Sequence, residues 1–267
     1  WASGVVAADG TAAERKHATA LSGARRGPVS VAAVILTPKS WAELKPTAET
    51  NAALRGSLKH KVIRAPLLPE RRADLTACSK GDYRSHWEGF ARALAAAGID
   101  DPTLDLGSGE PKALAEPAAF AGCYRQVAAA VRGVLPRARM QWTVDRGVSA
   151  TTDPAVLAVT WPGDGVVDIV GIHALDTGDN WGKTVNGIGG LNWWGDFAAD
   201  RNARIALSGW GPAPGSAVSA ENASYVQNMH DWLSRMAARG MLAYDLYSEP
   251  SEAAAGTAAR VYRALFR

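Results

Sequence analysis

The chain has 267 residues, 47% of them hydrophobic, and a formal net charge of +3 at pH 7. This length fits two small domains or one barrel of alternating strands and helices. The basic residues are scattered along the sequence, so we expect neither a nucleic-acid nor a membrane partner. No apolar run reaches the ~18 residues that a membrane span requires, and we expect a monomer.

Eight short apolar runs alternate with segments of helical periodicity. The predicted strands cover residues 1–8, 28–36, 61–68, 103–108, 139–144, 166–175, 204–208 and 241–247. The predicted helices cover residues 11–21, a segment after 40, 82–97, 117–134, a short segment after 154, 193–201, 220–239 and 252–265. Between the sixth strand and the sixth helix, residues 177–191 are predicted to form a long loop. Loops of this length are usually functional or disordered.

This alternation predicts an α/β fold in which helical crossovers connect parallel strands. Eight repeats favour a closed (β/α)8 TIM barrel that forms one domain over residues 1–267. An open doubly wound sheet would usually carry a glycine-rich phosphate loop after its first strand. The sequence at that point is Ala8-Asp9-Gly10-Thr11, which lacks that pattern.

Cysteine, histidine and tryptophan usage narrows the class of protein. Cys78 and Cys123 are either two buried thiols or one disulfide, which would imply export. The five histidines are isolated and no segment has zinc-ligand spacing, so we predict no metal and no cofactor. Ten tryptophans favour a carbohydrate site, although core packing explains any single one equally simply. We therefore expect a secreted or cell-envelope protein whose partner is a poly- or oligosaccharide.

The active site of a TIM barrel lies at the carboxyl ends of its strands. The polar candidates at such positions are Glu110 after strand 4, Asp145 after strand 5, His173 on strand 6, Asp176 after strand 6 and Glu249 after strand 8. The last four are predicted to bind substrate. For His173, a satisfied histidine of the barrel is an equal alternative.

Several tryptophans lie near the same strand ends. Trp181 in the 177–191 loop and Trp210 after strand 7 are the preferred candidates for stacking on a sugar ring, and Trp142 near the end of strand 5 is a further one. Trp193 and Trp194 either line the cleft or anchor the sixth helix on the barrel.

Five segments resemble family 26 glycoside hydrolases, which include β-mannanases. They are residues 81–91, 104–110, 123–132, 161–171 and 207–211. The resemblance implies a (β/α)8 barrel and a retaining mechanism with two glutamates. The acid/base of that family ends strand 4 and corresponds to Glu110. Its nucleophile ends strand 7 in a Glu-Trp-Gly or Glu-Phe-Gly motif, and the matching tripeptide here is Gly209-Trp210-Gly211.

The chain departs from the family at both glutamate motifs. Gly209 has no side chain and cannot attack an anomeric carbon, whereas a retaining enzyme needs two carboxyl groups ~5–5.5 Å apart. The residues that follow Glu110 also differ from the asparagine and glycine that the family tends to have. The nucleophile position is therefore predicted to be vacant, by natural divergence or by a single replacement.

Two hypotheses follow. The chain is a glycoside hydrolase-like, polysaccharide-active protein that uses Glu110 as acid and Asp145, Asp176 or Glu249 as a relocated base or nucleophile. Alternatively, it is a non-catalytic barrel that binds polysaccharide.

Overall fold

The computed structural model describes residues 1–6, 12–25, 28–54, 59–70, 72–107, 113–146, 154–250, 253 and 256–266. Eight parallel strands pair in sequence order, and the last pairs with the first to close a barrel. The strands are β1 (Ser3–Val6), β2 (Val31–Ile35), β3 (His60–Ala65), β4 (Thr103–Leu106), β5 (Arg139–Arg146), β6 (Ile169–Asp176), β7 (Arg204–Pro212) and β8 (Leu242–Ser248). The predicted (β/α)8 TIM barrel is confirmed, while its extent as a single domain stays a prediction.

Helices surround the barrel. They are α1 (Ala12–Ala24), α2 (Ala48–Leu54), α3 (Leu75–Lys80), α4 (Arg84–Ala96), α5 (Pro117–Val134), α6 (Pro154–Ala158), α7 (Trp181–Asn186), α8 (Leu191–Ala199), α9 (Ala217–Ala220), α10 (Ala223–Ala238) and α11 (Thr257–Leu265). Over the described residues, none of them has both the length and the apolar character of a membrane-spanning helix.

The core has two layers because successive strand residues point to opposite faces of the sheet. The larger layer lies between strands and helices and includes Trp87, Tyr124 and Trp232, all fully buried. The smaller layer lies among inward-facing side chains such as Val31 and Tyr244. This arrangement leaves the inward positions near the ends of the strands available for a site.

Local hydrogen bonds explain where the predicted elements differ from the structure. The expected 177–191 loop contains α7, since the Asn180 side chain accepts a hydrogen bond from the backbone N–H of Lys183 at 2.9 Å and caps its first turn. Strand β7 continues beyond residue 208 to Pro212, so Gly209 and Trp210 lie within a strand. An additional helix, α3, begins after Asp74, whose side chain caps it.

The two cysteines form a disulfide. Cys78 on α3 is bonded to Cys123 on α5, and the two Cα atoms lie 4.7 Å apart. The helices approach closely beside this bond, because a Cβ on Gly122 would lie 2.8 Å from the Cβ of Ser79. Of the two alternatives for these residues, the structure therefore has the disulfide, which joins the helices that follow β3 and β4.

Candidate functional site

Strand β5 contributes polar side chains to the barrel interior at every second position. Gln141 donates to Thr143 at 2.9 Å, and Asp145 contacts the neighbouring strand β6. The intervening residues Trp142 and Val144 are buried in the outer apolar layer. This period-two alternation carries a row of polar groups from the middle of the barrel to its carboxyl end.

A buried polar network fills the middle of the barrel. Asp105 on β4 is fully buried and accepts hydrogen bonds from Arg64 Nε at 2.8 Å and Thr143 Oγ1 at 2.6 Å. Arg64 also donates from Nη2 to the backbone carbonyl of Ser208 at 2.8 Å. Burial alone would lower the pKa of Arg64, but the charge and hydrogen bond of Asp105 raise it, so Arg64 keeps its charge. Since these charges are bonded to each other, the network is structural.

Above this network, Asp145 and His173 form a half-exposed pair at the carboxyl mouth of the barrel. Asp145 Oδ1 lies 2.6 Å from His173 Nδ1, and the two side chains are 35% and 25% exposed. Burial raises the pKa of Asp145, but the hydrogen bond and charge of His173, together with the charge of Arg64, bring it below the ordinary value. Asp145 is therefore a carboxylate at neutral pH, and it accepts from the imidazole.

Gly209 lies directly beside this pair. Strand pairing aligns Asp145 with His173 and His173 with Gly209. A Cβ on residue 209 would lie 2.5 Å from His173 Cδ2 and 2.9 Å from His173 Nε2. The imidazole thus occupies the space that a side chain at position 209 would need. The β6–β7 register shifts at Ile172/His173, and irregularities of this kind are common next to active sites because they redirect side chains.

The structure contradicts the prediction that Trp210 stacks on a sugar. Its side chain is fully buried and points outward from the barrel, where it packs on Tyr247 and Tyr262. Its Nε1–H donates to Asp245 at 2.9 Å, which satisfies a buried carboxylate. Trp210 and Gly209 are neighbours in the strand and therefore face opposite sides of it.

Trp142 is also in the core rather than in a cleft. It is 3% exposed and contacts Trp161, Trp194 and Phe197 between the barrel and α8. The cause is again the strand alternation, which turns Trp142 outward when Gln141 and Thr143 point inward. The prediction that Trp142 binds substrate is wrong for this reason. Trp194 is 1% exposed and anchors α8 on the barrel, as the second interpretation expected.

The strand-end carboxylates Asp176 and Glu249 are buried, with exposures of 3% and 2%. Asp176 accepts hydrogen bonds from the backbone N–H of Gly178 at 3.0 Å and from Asn222 Nδ2 at 2.8 Å. Glu249 accepts from the hydroxyl of Tyr247 at 3.2 Å. These contacts give both carboxylates structural roles, so Asp145 is the accessible strand-end carboxylate among the described candidates.

Two further predicted residues have different outcomes. Trp181 begins α7, is half-buried, and makes an edge-to-face contact with Tyr225 at 6.0 Å. It keeps an open surface and remains a candidate for stacking. Glu110 lies outside the described residues. Within the described ranges, no three His, Cys, Asp or Glu side chains are grouped as a metal site would require.

Sequence reasoning did not identify Arg64 and Asp105 as part of the site's surroundings. Both are charged residues within apolar strands, and each shares the inward parity of its strand. An arginine and an aspartate on adjacent buried strands are expected to pair, because an unpaired buried charge is costly. That signal was present in the sequence.

No family model matches the chain, and no curated protein matches it. Several solved structures are similar to the chain. An endo-β-1,4-mannanase double mutant from Cellulomonas fimi aligns with a TM-score of 0.61 at 13% identity, over 99% of this chain and 76% of that chain. The catalytic domain of a GH26 endo-β-1,4-mannanase from Bacillus sp. JAMB-750 gives 0.58 at 12% identity, over 85% and 69%.

A GH5-4 broad-specificity endoglucanase from an uncultured bacterium gives a TM-score of 0.58 at 13% identity, over 93% of this chain and 83% of that chain. At these identities the likeness shows the fold: this chain forms a barrel like those of glycoside hydrolases.

Proposed function

We propose that this chain is a glycoside hydrolase-like protein that acts on a poly- or oligosaccharide at the carboxyl mouth of its barrel. The observation that carries the proposal is the half-exposed Asp145–His173 pair beside Gly209. It is a polar, partly desolvated centre at the end of the barrel where TIM-barrel active sites lie. The fold shared with endo-mannanases and an endoglucanase supports a glycan as the ligand class.

Retaining hydrolysis through residue 209 is not part of this proposal. Glycine supplies no nucleophile, and His173 fills the adjacent space. Of the three carboxylates that could replace it, Asp176 and Glu249 are buried in structural hydrogen bonds, which leaves Asp145. We propose Glu110 as the acid, on the resemblance at the end of strand 4.

The second candidate function is a barrel that binds polysaccharide without cleaving it. The absence of a side chain at Gly209 favours this alternative, because one half of the two-glutamate pair is missing. In that case Asp145 and His173 would donate and accept hydrogen bonds to sugar hydroxyls, and Trp181 would supply a stacking surface.

The experiment that tests the proposal measures binding and cleavage with the same protein. Soluble mannan, glucan and xylan are incubated with the full chain, and new reducing ends and gel-shift affinity are recorded. Cleavage that Glu110→Gln abolishes supports the hydrolase. Binding without new reducing ends, equal in the parent and in Glu110→Gln, supports the binding protein. A chain that neither binds nor cleaves any glycan of a wide array contradicts both.

Rescue by a small anion separates a disabled retaining site from a rebuilt one. Azide or formate restores cleavage in a retaining site that has lost its nucleophile side chain, because the anion fills the empty space. Here His173 covers Gly209, so we expect no rescue in the parent chain. Rescue of the parent by either anion would point to a disabled retaining enzyme.

We also propose that the protein functions outside the cytoplasm, as a monomer. The Cys78–Cys123 disulfide supports this location, since such bonds persist in oxidising compartments. Thiol titration of the protein purified from its natural source would find no free thiol before reduction and two after it. Size-exclusion chromatography with light scattering would test the monomer against the chain mass of 28.0 kDa.

A further inference from the structure

We propose that His173, oriented by Asp145, is the general base of this site, and that it activates a water for direct, inverting attack on the anomeric carbon. The inference rests on the proposed hydrolase function and extends it: Asp145, the carboxylate that is left at the mouth, acts on water through His173 and not directly. His173 would be the catalytic residue, and Asp145 would be a positioning residue that acts through it.

The hydrogen bond to Asp145 fixes which imidazole nitrogen can act as a base. Asp145 is ionised and can only accept, so His173 Nδ1 must carry the hydrogen in their 2.6 Å contact. In the neutral ring the lone pair is then on Nε2. A carboxylate bound to Nδ1 also stabilises the imidazolium that forms when Nε2 takes a proton.

The position of Nε2 matches the place of the missing group. It would lie 2.9 Å from a Cβ on Gly209, so it occupies the space into which a side chain from the end of β7 would extend. Among the described residues, no hydrogen-bond partner of Nε2 is found, and the side chain is 25% exposed at the mouth. A water can therefore reach Nε2 from the open side.

The charges around His173 come from neighbouring strands. Asp145 on β5 bonds to it directly, and Arg64 on β3 lies close enough to lower the pKa of Asp145. Arg64 is itself bonded to Asp105 on β4. On β7 the facing residue is Gly209, which carries no charge. Over the described residues, the local field therefore comes from one carboxylate in direct contact and one neutralised ion pair beneath it.

The reaction balances as a single displacement. Nε2 takes one proton from water as the water oxygen forms a bond to the anomeric carbon. The bond from that carbon to the glycosidic oxygen breaks, its electron pair passes to the oxygen, and the oxygen takes a proton from the acid proposed at Glu110. The imidazolium then loses its proton to solvent and the acid regains one. Attack opposite the leaving group inverts the anomeric configuration.

The test uses the full chain and the glycan on which it proves most active. Three variants are compared: His173→Gln, Asp145→Asn, and His230→Gln, whose side chain lies on α10 and contacts Trp1, which precedes β1 at the opposite end of the barrel. We measure kcat, the pH dependence of kcat/KM and, by proton NMR in the first minutes, the anomeric form of the released sugar. Thermal unfolding of each variant is recorded in parallel.

We expect His173→Gln to lower kcat by about 100-fold or more and to abolish the acidic limb of the pH profile, since general bases contribute about 10²–10⁴ in rate. Asp145→Asn should also lower kcat, because an amide can donate to Nδ1 and place the hydrogen on Nε2. It should move the acidic limb to lower pH, because an uncharged neighbour favours the imidazolium less. A purely structural role for Asp145 would leave that limb in place. His230→Gln should match the parent, and the first product should have inverted configuration.

Retention of configuration, or an unchanged pH profile in a folded His173→Gln, would overturn this inference while leaving the hydrolase function intact. Absence of cleavage in the parent on the whole array would overturn both. If His173→Gln fails to fold, the acidic limb of Asp145→Asn and the product configuration of the parent decide the question.

Discussion

Two aspartates in the described part of the chain, Asp105 and Asp145, point into the barrel, and their surroundings differ. Asp105 is fully buried, and both of its oxygens accept hydrogen bonds, one from Arg64 and one from Thr143. Asp145 is 35% exposed and bonds through one oxygen to His173. The first carboxylate has its bonding capacity directed to the protein. The second carboxylate has an oxygen left that can bond to a ligand, and Nε2 of its partner His173 is available in the same way.

This contrast separates a carboxylate that is bonded entirely within the protein from one that has bonding capacity left. A charge in the middle of the barrel must be neutralised, because burying it unpaired costs several kcal/mol. A charge at the mouth remains partly hydrated, so its pairing contributes little to stability and can be used for binding or proton transfer. An inward position alone therefore does not make a carboxylate functional. Its exposure and its remaining hydrogen-bond capacity determine whether it can bind a ligand or transfer a proton.

The largest expected effect comes from removing the charge of Asp105. Asp105→Asn keeps the volume but leaves Arg64 without a carboxylate, and we expect it to lower the free energy of unfolding by about 3 kcal/mol. Asp145→Asn is the matched control, since the same change at the half-exposed position should cost about 1 kcal/mol or less. Urea denaturation followed by tryptophan fluorescence measures both. Equal losses in the two variants would remove the distinction between a structural and an available carboxylate.

The barrel could be predicted from the sequence because its information is local and repeated. Each strand is a short apolar run such as residues 204–208, and each helix has an apolar face. Eight repetitions of this unit specify the topology, and no contacts between distant parts of the sequence need to be known. Element ends were less predictable. The 177–191 segment has many glycines and asparagines, yet the Asn180 cap makes residues 181–186 helical.

The site could be predicted only in part, because strand parity decides which side chains meet. Asp145 and His173 were both expected near a ligand, and they do pair. Trp142 and Trp210 lie on β5 and β7 toward the carboxyl ends, as expected, but their side chains point outward. A shift of one residue in the assumed register exchanges the two faces, and β7 contains irregularities in its pairing with β8 that a sequence pattern does not reveal.

The next prediction tests whether the space at Gly209 is taken by His173. Gly209→Glu places a Cβ 2.5 Å from the imidazole, and we expect a loss of about 1–3 kcal/mol in unfolding free energy and no gained retaining activity. Gly133→Ala is the control, because a Cβ on that exposed residue of α5 has nothing within 4 Å. It should be neutral or stabilise by up to about 1 kcal/mol.

A second substitution makes the same prediction more specific. In a His173→Ala background the imidazole is absent. Adding Gly209→Glu to that variant should therefore lower the free energy of unfolding much less than Gly209→Glu lowers it in the parent. Additive losses in the double variant would show that something other than His173 limits the space at position 209, since independent sites add and contacting sites do not.

The smallest expected effect concerns the opposite end of the barrel, where His60 begins β3 and contrasts with His173. Burial, followed by the charges of Arg139 and Arg204, lowers the pKa of His60 to about 4. The unfolded chain, with an ordinary value near 6.5, then binds more protons between pH 4 and 6.5, so stability falls as the pH drops through that window. Linkage gives at most about 2 kcal/mol at pH 5, and screening at this partly exposed side chain reduces it to about 1 kcal/mol. His60→Gln should therefore narrow the difference in unfolding free energy between pH 7 and pH 5 by about 1 kcal/mol. An unaltered pH dependence in His60→Gln would show that the pKa of His60 is the same in the folded and the unfolded chain.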